Sequence, residues 1–227
     1  TKCYKYLGVI ISRQLSDTDH IKHHLKPKFN KLKGHVRFTL ARHLDINRIE
    51  FGNTLWHKVI LPSISHAAGV WFNPAKHHQE TLSSSQYQVG KAILKLRCTP
   101  ATVATIGELG WLPITDYLDI KRLLYYKHIA NMSDDRLPNF ILRELLQTDS
   151  ESLPRGFNYC TFIKHIFEGK GLDHMFTSGD DISIPKFKKF TSMQHEQYFF
   201  REIAERPSLQ HYRLTKQDTS ISKYLLC

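Results

Sequence analysis

The sequence of 227 residues has few cysteines and no long apolar run. Its four cysteines, Cys3, Cys98, Cys160 and Cys227, are far apart and form no Cys-x-x-Cys pair, which argues against a disulfide-rich scaffold. Free thiols in a reducing compartment are the simplest interpretation. No window approaches 18 consecutive apolar residues, so the sequence predicts a soluble chain with no membrane partner.

Acidic residues are scarce in the first part of the chain. Residues 1–100 hold 16 Lys and Arg but 5 Asp and Glu, whereas residues 101–227 hold 16 of each kind. The net charge of +11 therefore lies in the first part, and no acidic residue interrupts the segment between Asp19 and Asp45. A one-sided positive charge predicts a polyanionic partner. The alternative is a basic surface that serves solubility alone.

The first residues carry the pattern of a β-strand. In residues 4–11, YKYLGVII, tyrosines alternate with aliphatic residues, which predicts one half-buried strand with Gly8 near its centre. A glycine inside a strand indicates a bulge, a bend or the close approach of another backbone. One strand cannot satisfy its own hydrogen bonds, and the first ten residues barely offer a partner. We therefore expect the chain to be a piece of a longer protein.

The rest of the chain is predicted to be mainly helical. After capping side chains at residues 16–19, apolar residues recur at steps of three and four at Ile21, Leu25, Phe29, Leu32 and Val36. Pro27 lies inside this helix and is expected to kink or divide it. Further helices are predicted from the cap Asp45 toward Trp71, at 76–97, from Thr99–Pro100 to near Gly107, at 115–131, at 134–147, at about 157–168 and at 192–205.

These elements predict a mainly α fold with a short N-terminal β element, a helical bundle and a smaller helical or irregular C-terminal part. The predicted divisions are a strand at 1–15, the bundle at 16–98, further helices at 99–147, a linker at 148–157 and a C-terminal region at 158–227. Neighbouring helices of the bundle are expected to be antiparallel. Its predicted core includes Leu25, Phe29, Leu32, Leu55, Val59, Val89 and Ile93.

The first helix also carries a stripe of positive charge. At 100° per residue, Lys22, Lys26, Lys33 and Arg37 fall on one line along the edge of the apolar face, and we call these four residues the basic rail. Lys28, Lys31 and Arg42 add charge nearby. A packed helix with such a stripe can follow a phosphate backbone without reading the bases. The sequence therefore predicts nucleic-acid contact along this helix.

Two acidic pairs look like the paired carboxylates of template-directed polymerases. In those enzymes the carboxylates lie on a β-hairpin and share two Mg²⁺ ions with a further Asp. Asp134 and Asp135 follow Ser133 and precede an apolar helical pattern, so we interpret them as first-turn residues of a helix that Ser133 caps. Asp180 and Asp181 lie in a predicted loop without strand patterns beside it. Neither pair is predicted to be catalytic.

Histidines are the other candidate metal ligands. His20, His23 and His24 include a pair at i and i+4, but the zinc-hydrolase pattern needs Glu after the first His, and Ile21 is there. No cysteine or carboxylate cluster completes a site, so we interpret these residues as a solvated basic helix face. The pair His77 and His78 is a weaker candidate. No metal site is predicted in this chain.

Four short segments, taken in order, carry a resemblance to a known family. They are KYLG at 5–8, followed by His20-Ile21 and a Lys-rich helix; LPSISHAAGVW at 61–71; ELGWLP at 108–113; and SLQHYR at 208–213 with Lys216. Together they resemble the reverse transcriptases of non-LTR (LINE-type) retrotransposons, in the region downstream of the catalytic palm. KYLG is similar to the family's primer grip, and His66 stands where a Tyr is common. The likeness covers about residues 4–146 and, loosely, 195–226.

The resemblance implies the thumb and post-thumb part of an RNA-directed DNA polymerase. Its partners would be an RNA template, a DNA primer and the palm, which would adjoin the N-terminal strand. Since the catalytic carboxylates and their Mg²⁺ would belong to the palm, this chain would need no cofactor of its own and would not polymerise alone. The implied primer-grip residues are Tyr6, Leu7 and Gly8, and the implied nucleic-acid-binding residues are Lys22, Lys26, Lys28, Lys33 and Arg37.

A second hypothesis remains open. A helical protein-interaction module could use the same basic face to bind an acidic partner. Charge alone does not separate this hypothesis from nucleic-acid binding, because both partners are polyanions.

Overall fold

The computed structural model describes most of the chain, and its described parts are mainly helical. The described residues are 3–13, 17–42, 47–71, 76–147, 159–173, 176, 183–222 and 225. Within them, two short strands precede a succession of helices that pack around two apolar clusters. The predicted fold class, mainly α with a short N-terminal β element, is confirmed. The predicted linker at 148–157 lies outside the described residues.

The N-terminal β element is a hairpin, whereas the sequence pattern predicted a single strand. Strand β1 (Cys3–Tyr6) pairs antiparallel with strand β2 (Val9–Ser12), and Tyr6 stands opposite Val9. Leu7 and Gly8 connect the strands with φ angles of 44° and 86°. Positive φ at both central residues is typical of a type I′ turn. The prediction was wrong because the alternation continues through the turn, so β1 finds its partner within the chain.

The first long helix contains a π-helical turn. Helix α1 (Thr18–His20), a π turn (Ile21–Leu25) and helix α2 (Lys26–Arg42) follow one another without a break. In the π turn the N–H of Lys26 donates to the carbonyl of Ile21, five residues back. Pro27 comes next and has no N–H to donate, so it adjoins the point where the hydrogen-bonding pattern changes. The expected effect of Pro27 thus takes the form of a π turn rather than a break.

Two further helical segments complete the first bundle. Helix α3 (Arg48–Leu55) continues through a π turn (Trp56–Ile60) into helix α4 (Leu61–Ile64), and helix α5 (Lys76–Ile93) follows. The predicted cap Asp45 lies outside the described residues. The observed cap of α3 is Asn47, whose Oδ1 accepts hydrogen bonds from the main-chain N–H groups of Ile49 and Glu50.

Arg48 fixes how these helices are oriented. Its guanidinium donates to the carbonyl of Leu40 near the end of α2 and to the carbonyls of Ala92 and Ile93 at the end of α5. The C-terminal ends of α2 and α5 therefore lie together beside the start of α3. As α3 packs against both helices, α2 and α5 run in the same direction and α3 runs against them.

The core of the bundle agrees with the prediction except at the second π turn. Leu25, Phe29, Val89 and Ile93 are buried, and Leu32 and Leu55 pack partly buried against them. The prediction was wrong for Val59, which is 42% exposed, while Trp56 and Ile60 are each 1% exposed. A π turn has more residues per turn than an α-helix, so it changes which residues face the core.

The second part of the chain is also helical. Its elements are α6 (Thr102–Glu108), α7 (Ile114–Ala130), α8 (Leu137–Gln147), α9 (Tyr159–Gly169), α10 (Ile184–Glu205), a 3₁₀ turn (Pro207–Leu209) and α11 (Gln210–Thr215). Two starts differ from the prediction. Helix α6 begins after Ala101 rather than at Thr99–Pro100. Helix α10 begins at Ile184 rather than at 192, because Ser183 caps it by accepting from the N–H of Lys186.

The ELGWLP segment joins the bundle to the end of the described chain. The Trp111 ring stacks on Trp56 with centroids 4.1 Å apart, and its Nε1 donates to Oδ1 of Asn53 over 2.6 Å. On the other side, the N–H of Ser222 donates to the carbonyl of Glu108. Oγ of Ser222 also accepts from Nζ of Lys216 over 2.8 Å, so ELGWLP and the tail segment that includes Lys216 are linked through Ser222.

Arg122 links the two apolar clusters. Its guanidinium lies 5.4 Å from the Trp71 ring centroid and 5.1 Å from that of Phe162, and it donates to Asp119 over 2.8 Å. Burial raises the pKa of Asp119, although the charge of Arg122 opposes that shift.

Among the described helices, none is both long and apolar enough to cross a bilayer.

Candidate nucleic-acid interface

The implied primer-grip residues lie at the tip of the hairpin. The side chains of Tyr6 and Leu7 are 56% and 75% exposed. Tyr6 stacks on Tyr4, with ring centroids 6.4 Å apart and ring planes inclined by 23°. A Cβ added at Gly8 would lie 3.4 Å from the ring of His66, so the turn packs closely against the bundle. The tip presents two aromatic rings and one aliphatic side chain to solvent.

Two histidines attach this hairpin to the bundle. Nε2 of His66, which follows α4, donates to the carbonyl of Leu7 over 3.0 Å. Nδ1 of His20 accepts from the main-chain N–H of Ile10 over 3.2 Å. A nitrogen that accepts a hydrogen bond carries no proton, so this contact requires the neutral form of His20.

The surroundings of His20 favour that neutral form. The side chain is buried, and its ring packs against His24 and Trp71 with centroid distances of 5.2 and 5.3 Å. Burial, followed by the positive charges of His24, Lys28 and His66, lowers the pKa of His20 to about 4. The hairpin is therefore held by an imidazole that stays uncharged at neutral pH.

The basic rail is accessible along most of its length. Lys22, Lys26 and Arg37 are exposed, and Lys33 is half-buried. Lys22 lies in the π turn, where the rotation per residue differs from 100°, so it is displaced from the line of the other three residues. The predicted single stripe is thus most regular within α2, from Lys26 to Arg37.

Lys28 lies on the other side of the apolar face and makes an internal contact. Its Nζ donates to the carbonyl of Ser63 in α4 over 2.6 Å. Burial, with the positive charge of Lys5, lowers the pKa of Lys28. Lys28 therefore belongs to the region where the hairpin meets the bundle and not to the rail.

A polar groove of about 380 Å³ lies between α2 and α5, which pack against each other. Lys26, Asn30 and Lys33 line its α2 side, above the buried Phe29. The α5 side consists mainly of hydroxyl and amide side chains, with one carboxylate; its residues are His77, Glu80, Thr81, Ser84, Ser85 and Gln88. Ammonium groups on one wall face hydroxyl and amide groups and the single carboxylate of Glu80 on the other, and the lysines and amides are groups that can contact a phosphodiester backbone.

The first acidic pair lies before a helix and not within it. Helix α8 begins at Leu137, so the prediction that Ser133 caps a helix starting at 134 was wrong. The N–H of Arg136 donates to the carbonyl of Ser133 in a turn that precedes the helix. Both carboxylates are exposed, and Asp134 accepts a charged hydrogen bond from Arg143 of α8. Asp180 and Asp181 lie outside the described residues.

Histidine rings lie close together at two places, His20 with His24 and His77 with His78. The rings of His77 and His78 are 4.0 Å apart, and burial lowers the pKa of His78. His23 points toward Asp19, with Nε2 and Oδ1 3.9 Å apart. In the part of the chain that the structure describes, no group of three or more His, Cys, Asp or Glu side chains is arranged to hold a metal ion.

The sequence pattern did not predict that three residues, Lys5, His24 and His66, would lie near the contact between the hairpin and the bundle. Lys5 and His66 come from segments far from the first helix, and His24 was interpreted as part of a solvated helix face. The hydrogen bond from His66 to Leu7 spans 59 residues of sequence. Such contacts depend on tertiary structure, which periodicity and charge counts do not report.

Comparisons with models of protein families, with curated proteins and with solved structures found no match to this chain. The relationship to reverse transcriptases is therefore a prediction that depends on the sequence motifs.

Proposed function

We propose that this chain is the thumb and C-terminal part of a retrotransposon RNA-directed DNA polymerase and that it binds template–primer nucleic acid. The observation that carries the proposal is the groove between α2 and α5. Lys26 and Lys33 line one side of it, opposite a wall of hydroxyl and amide groups that also includes His77 and Glu80. The order of the family-like motifs and the excess of positive charge in residues 1–100 add independent support.

The groove would hold the sugar–phosphate backbone. The two lysines supply mobile ammonium groups that neutralise phosphates, and the side-chain amides of Asn30 and Gln88 can donate hydrogen bonds to phosphate oxygens. Backbone contacts of this kind set the position of a duplex but carry no base information. Binding is therefore expected to depend on salt and to be nearly independent of sequence.

The hairpin would contribute at the end of the same duplex. By resemblance, Tyr6, Leu7 and Gly8 would hold the primer terminus. The exposed Tyr6 and Leu7 side chains offer apolar surface to a base or sugar, and their attachment through His20 and His66 fixes the tip relative to the bundle. A fixed spacing between backbone contacts and the primer end is what a polymerase needs to place that end.

One observation favours the second candidate, a protein-interaction module. An apolar groove of about 340 Å³ lies where α7 and α8 meet the segment after α4. Its lining includes Val70, Tyr125, Leu137 and Ile141, all of which are more than a third exposed. Exposed apolar surface of this kind is typical of protein contacts. Charge does not separate the two candidates for the basic face, and the order of the family-like motifs favours the nucleic-acid proposal there.

A direct binding comparison tests the proposal. Fluorescence anisotropy would measure the affinity of the chain for an RNA–DNA hybrid and, separately, for a polyglutamate peptide of matched charge. The double variant Lys26→Ala/Lys33→Ala is expected to lose hybrid affinity. The matched control is Lys186→Ala/Lys188→Ala, which removes two exposed lysines from α10. Tighter binding of the peptide than of the hybrid, or equal losses in both double variants, would refute the proposal.

A further inference from the structure

Four side chains that can carry positive charge come from segments that meet where the hairpin joins the bundle. Lys5 comes from β1, His24 from the first π turn, Lys28 from α2 and His66 from the residues after α4. Two hydrogen bonds hold the surrounding segments together, from Lys28 to Ser63 and from His66 to Leu7. We call these four residues the junction cluster.

The junction cluster is open to solvent. Lys5 and His66 are exposed, while His24 and Lys28 are half-buried. Beside burial, three groups that can carry positive charge act on His24, namely Lys28, Lys5 and His66, and each of them lowers its pKa. An accessible group of like charges with no acidic member is unfavourable when empty, and an anion would relieve its repulsion.

Asp19 and His20, two titratable residues near the cluster in sequence, make contacts of their own. Asp19 interacts with the thiol of Cys3, which donates to it over 3.3 Å, and with His23 at 3.9 Å. His20 lies beside the His24 ring and is buried against Trp71. Asp19, the carboxylate nearest in sequence to the cluster, therefore interacts with Cys3 and His23.

We propose that the junction cluster binds a phosphate group of nucleic acid and that this binding adds a proton to His24. The inference rests on the proposed function, since the phosphate would belong to the nucleic acid that the chain is proposed to bind. Lys5 and Lys28 supply permanent charge, and His24 supplies a charge that is present only when the phosphate is bound. The site would therefore make nucleic-acid affinity depend on pH.

The direction of the pH dependence follows from the charges. Burial, followed by Lys28, Lys5 and His66, lowers the pKa of His24 in the free protein, so the imidazole is neutral at pH 7. A bound phosphate raises that pKa, because a negative charge favours the protonated form. Binding then takes up a proton, so affinity rises as pH falls through the pKa of the bound state. One proton can change affinity by at most about tenfold per pH unit.

The test compares three proteins at pH 8, 7 and 6 and constant ionic strength. The affinity of the full chain for an RNA–DNA hybrid would be measured for the wild type, for His24→Gln and for His23→Gln. His23 is the matched control, since it is adjacent and exposed but points toward Asp19. The wild type and His23→Gln are expected to gain affinity in parallel as pH falls. Between pH 8 and pH 6, the affinity of His24→Gln for the hybrid is expected to rise several-fold less than the affinity of the other two proteins.

A second measurement follows the protonation of His24 directly in the wild-type chain. Histidine NMR resonances, with His24 assigned by comparison with His24→Gln spectra, would be titrated with and without the hybrid, and with inorganic phosphate as a minimal probe. An upward shift of the pKa of His24 on binding the hybrid is expected, with a smaller shift for inorganic phosphate. An unchanged pKa, or identical pH profiles for His24→Gln and His23→Gln, would overturn the inference.

The outcomes separate this inference from the proposed function. If the hybrid binds, and Lys26→Ala/Lys33→Ala weakens it while His24 does not titrate, only the junction site is wrong. If the hybrid does not bind at any pH, both proposals are wrong.

Discussion

The imidazole of His20 accepts a hydrogen bond from the main-chain N–H of Ile10, 3.2 Å away, and so ties the second strand of the hairpin to the first long helix. The acceptor is Nδ1, and the ring is 1% exposed. Protonation would remove the acceptor and place a charge in a buried site beside His24. The position of the hairpin is therefore coupled to the charge state of one histidine.

This coupling predicts a loss of stability in mild acid. The pKa of His20 is about 4 in the folded chain, below the usual value near 6.5 that we expect in the unfolded chain. Between these values the unfolded chain binds more protons, so stability falls as pH falls from about 6.5 and the loss levels off near 4. His20 can contribute a slope of at most about 1.4 kcal/mol per pH unit.

The measurement is urea unfolding at pH 7, 6 and 5 for the wild type and His20→Asn, whose side-chain oxygen can replace Nδ1 as acceptor. As pH falls from 7 to 5, the wild type is expected to lose more stability than the variant. His35→Asn, an exposed position on α2, is the control. Equal slopes for the wild type and His20→Asn would contradict the assignment of a neutral, buried His20.

The second π turn predicts a large loss of stability on substitution at one position and a small loss at its neighbour. Ile60→Ala removes buried methylene groups and leaves a cavity, so it is expected to destabilise the chain by about 2 to 5 kcal/mol. Val59 is 42% exposed, and Val59→Ala is expected to cost about 0.5 kcal/mol or less. Chemical unfolding of the two variants checks the register, and a larger loss for Val59→Ala would show that it is wrong.

The same positions show what the sequence could and could not predict. Apolar periodicity identified the main helices, because it reports which side of a helix meets the core. It predicted Val59 as buried and the hairpin as one strand, because π turns and type I′ turns are defined by hydrogen bonds and φ angles. Apolar periodicity gives no information about hydrogen bonds or φ angles.

The candidate site also combines features that the sequence could predict with features that it could not. The exposure of Lys22, Lys26 and Arg37 follows from their places beside an apolar stripe, so the sequence could predict it. The polar wall of α5 and the contact of His66 with Leu7 depend on how distant segments pack. No pattern within a single helix reports those distances.

Two glycines with positive φ form a matched pair for testing the C-terminal contact. Gly110 has a φ of 64°, and a Cβ there would lie 2.5 Å from the main-chain N of Ile221. Gly171 has a φ of 68° with open space around it. Gly171→Ala should therefore cost only the backbone strain, about 1 to 2 kcal/mol. Gly110→Ala should cost more, because a neighbouring backbone must also move.

Thermal unfolding of both variants measures the difference. Proteolysis adds a local readout, since displacement of residues 216–222 from the ELGWLP segment should speed cleavage within them in Gly110→Ala alone. Equal costs and equal cleavage in the two variants would mean that the C-terminal segment does not pack on Gly110.

The final prediction concerns the salt dependence of binding. If Lys26 and Lys33 contact phosphates, log K for nucleic acid should fall linearly with log salt, because each contact releases condensed counterions. The double variant Lys26→Ala/Lys33→Ala should reduce the magnitude of that slope by about 1.4 to 1.8, since each phosphate contributes roughly 0.7 to 0.9. Duplexes of different sequence should give the same slope, because these contacts do not touch the bases.

The control distinguishes a local contact from a general effect of charge. Lys186→Ala/Lys188→Ala lowers the net charge by the same amount on α10, so it should leave the slope nearly unchanged. Circular dichroism would establish that both variants are folded, as expected for substitutions of an exposed and a half-buried lysine on the polar side of α2. An unchanged slope in a folded Lys26→Ala/Lys33→Ala variant would mean that the groove holds no phosphates, and that any bound nucleic acid lies on another surface.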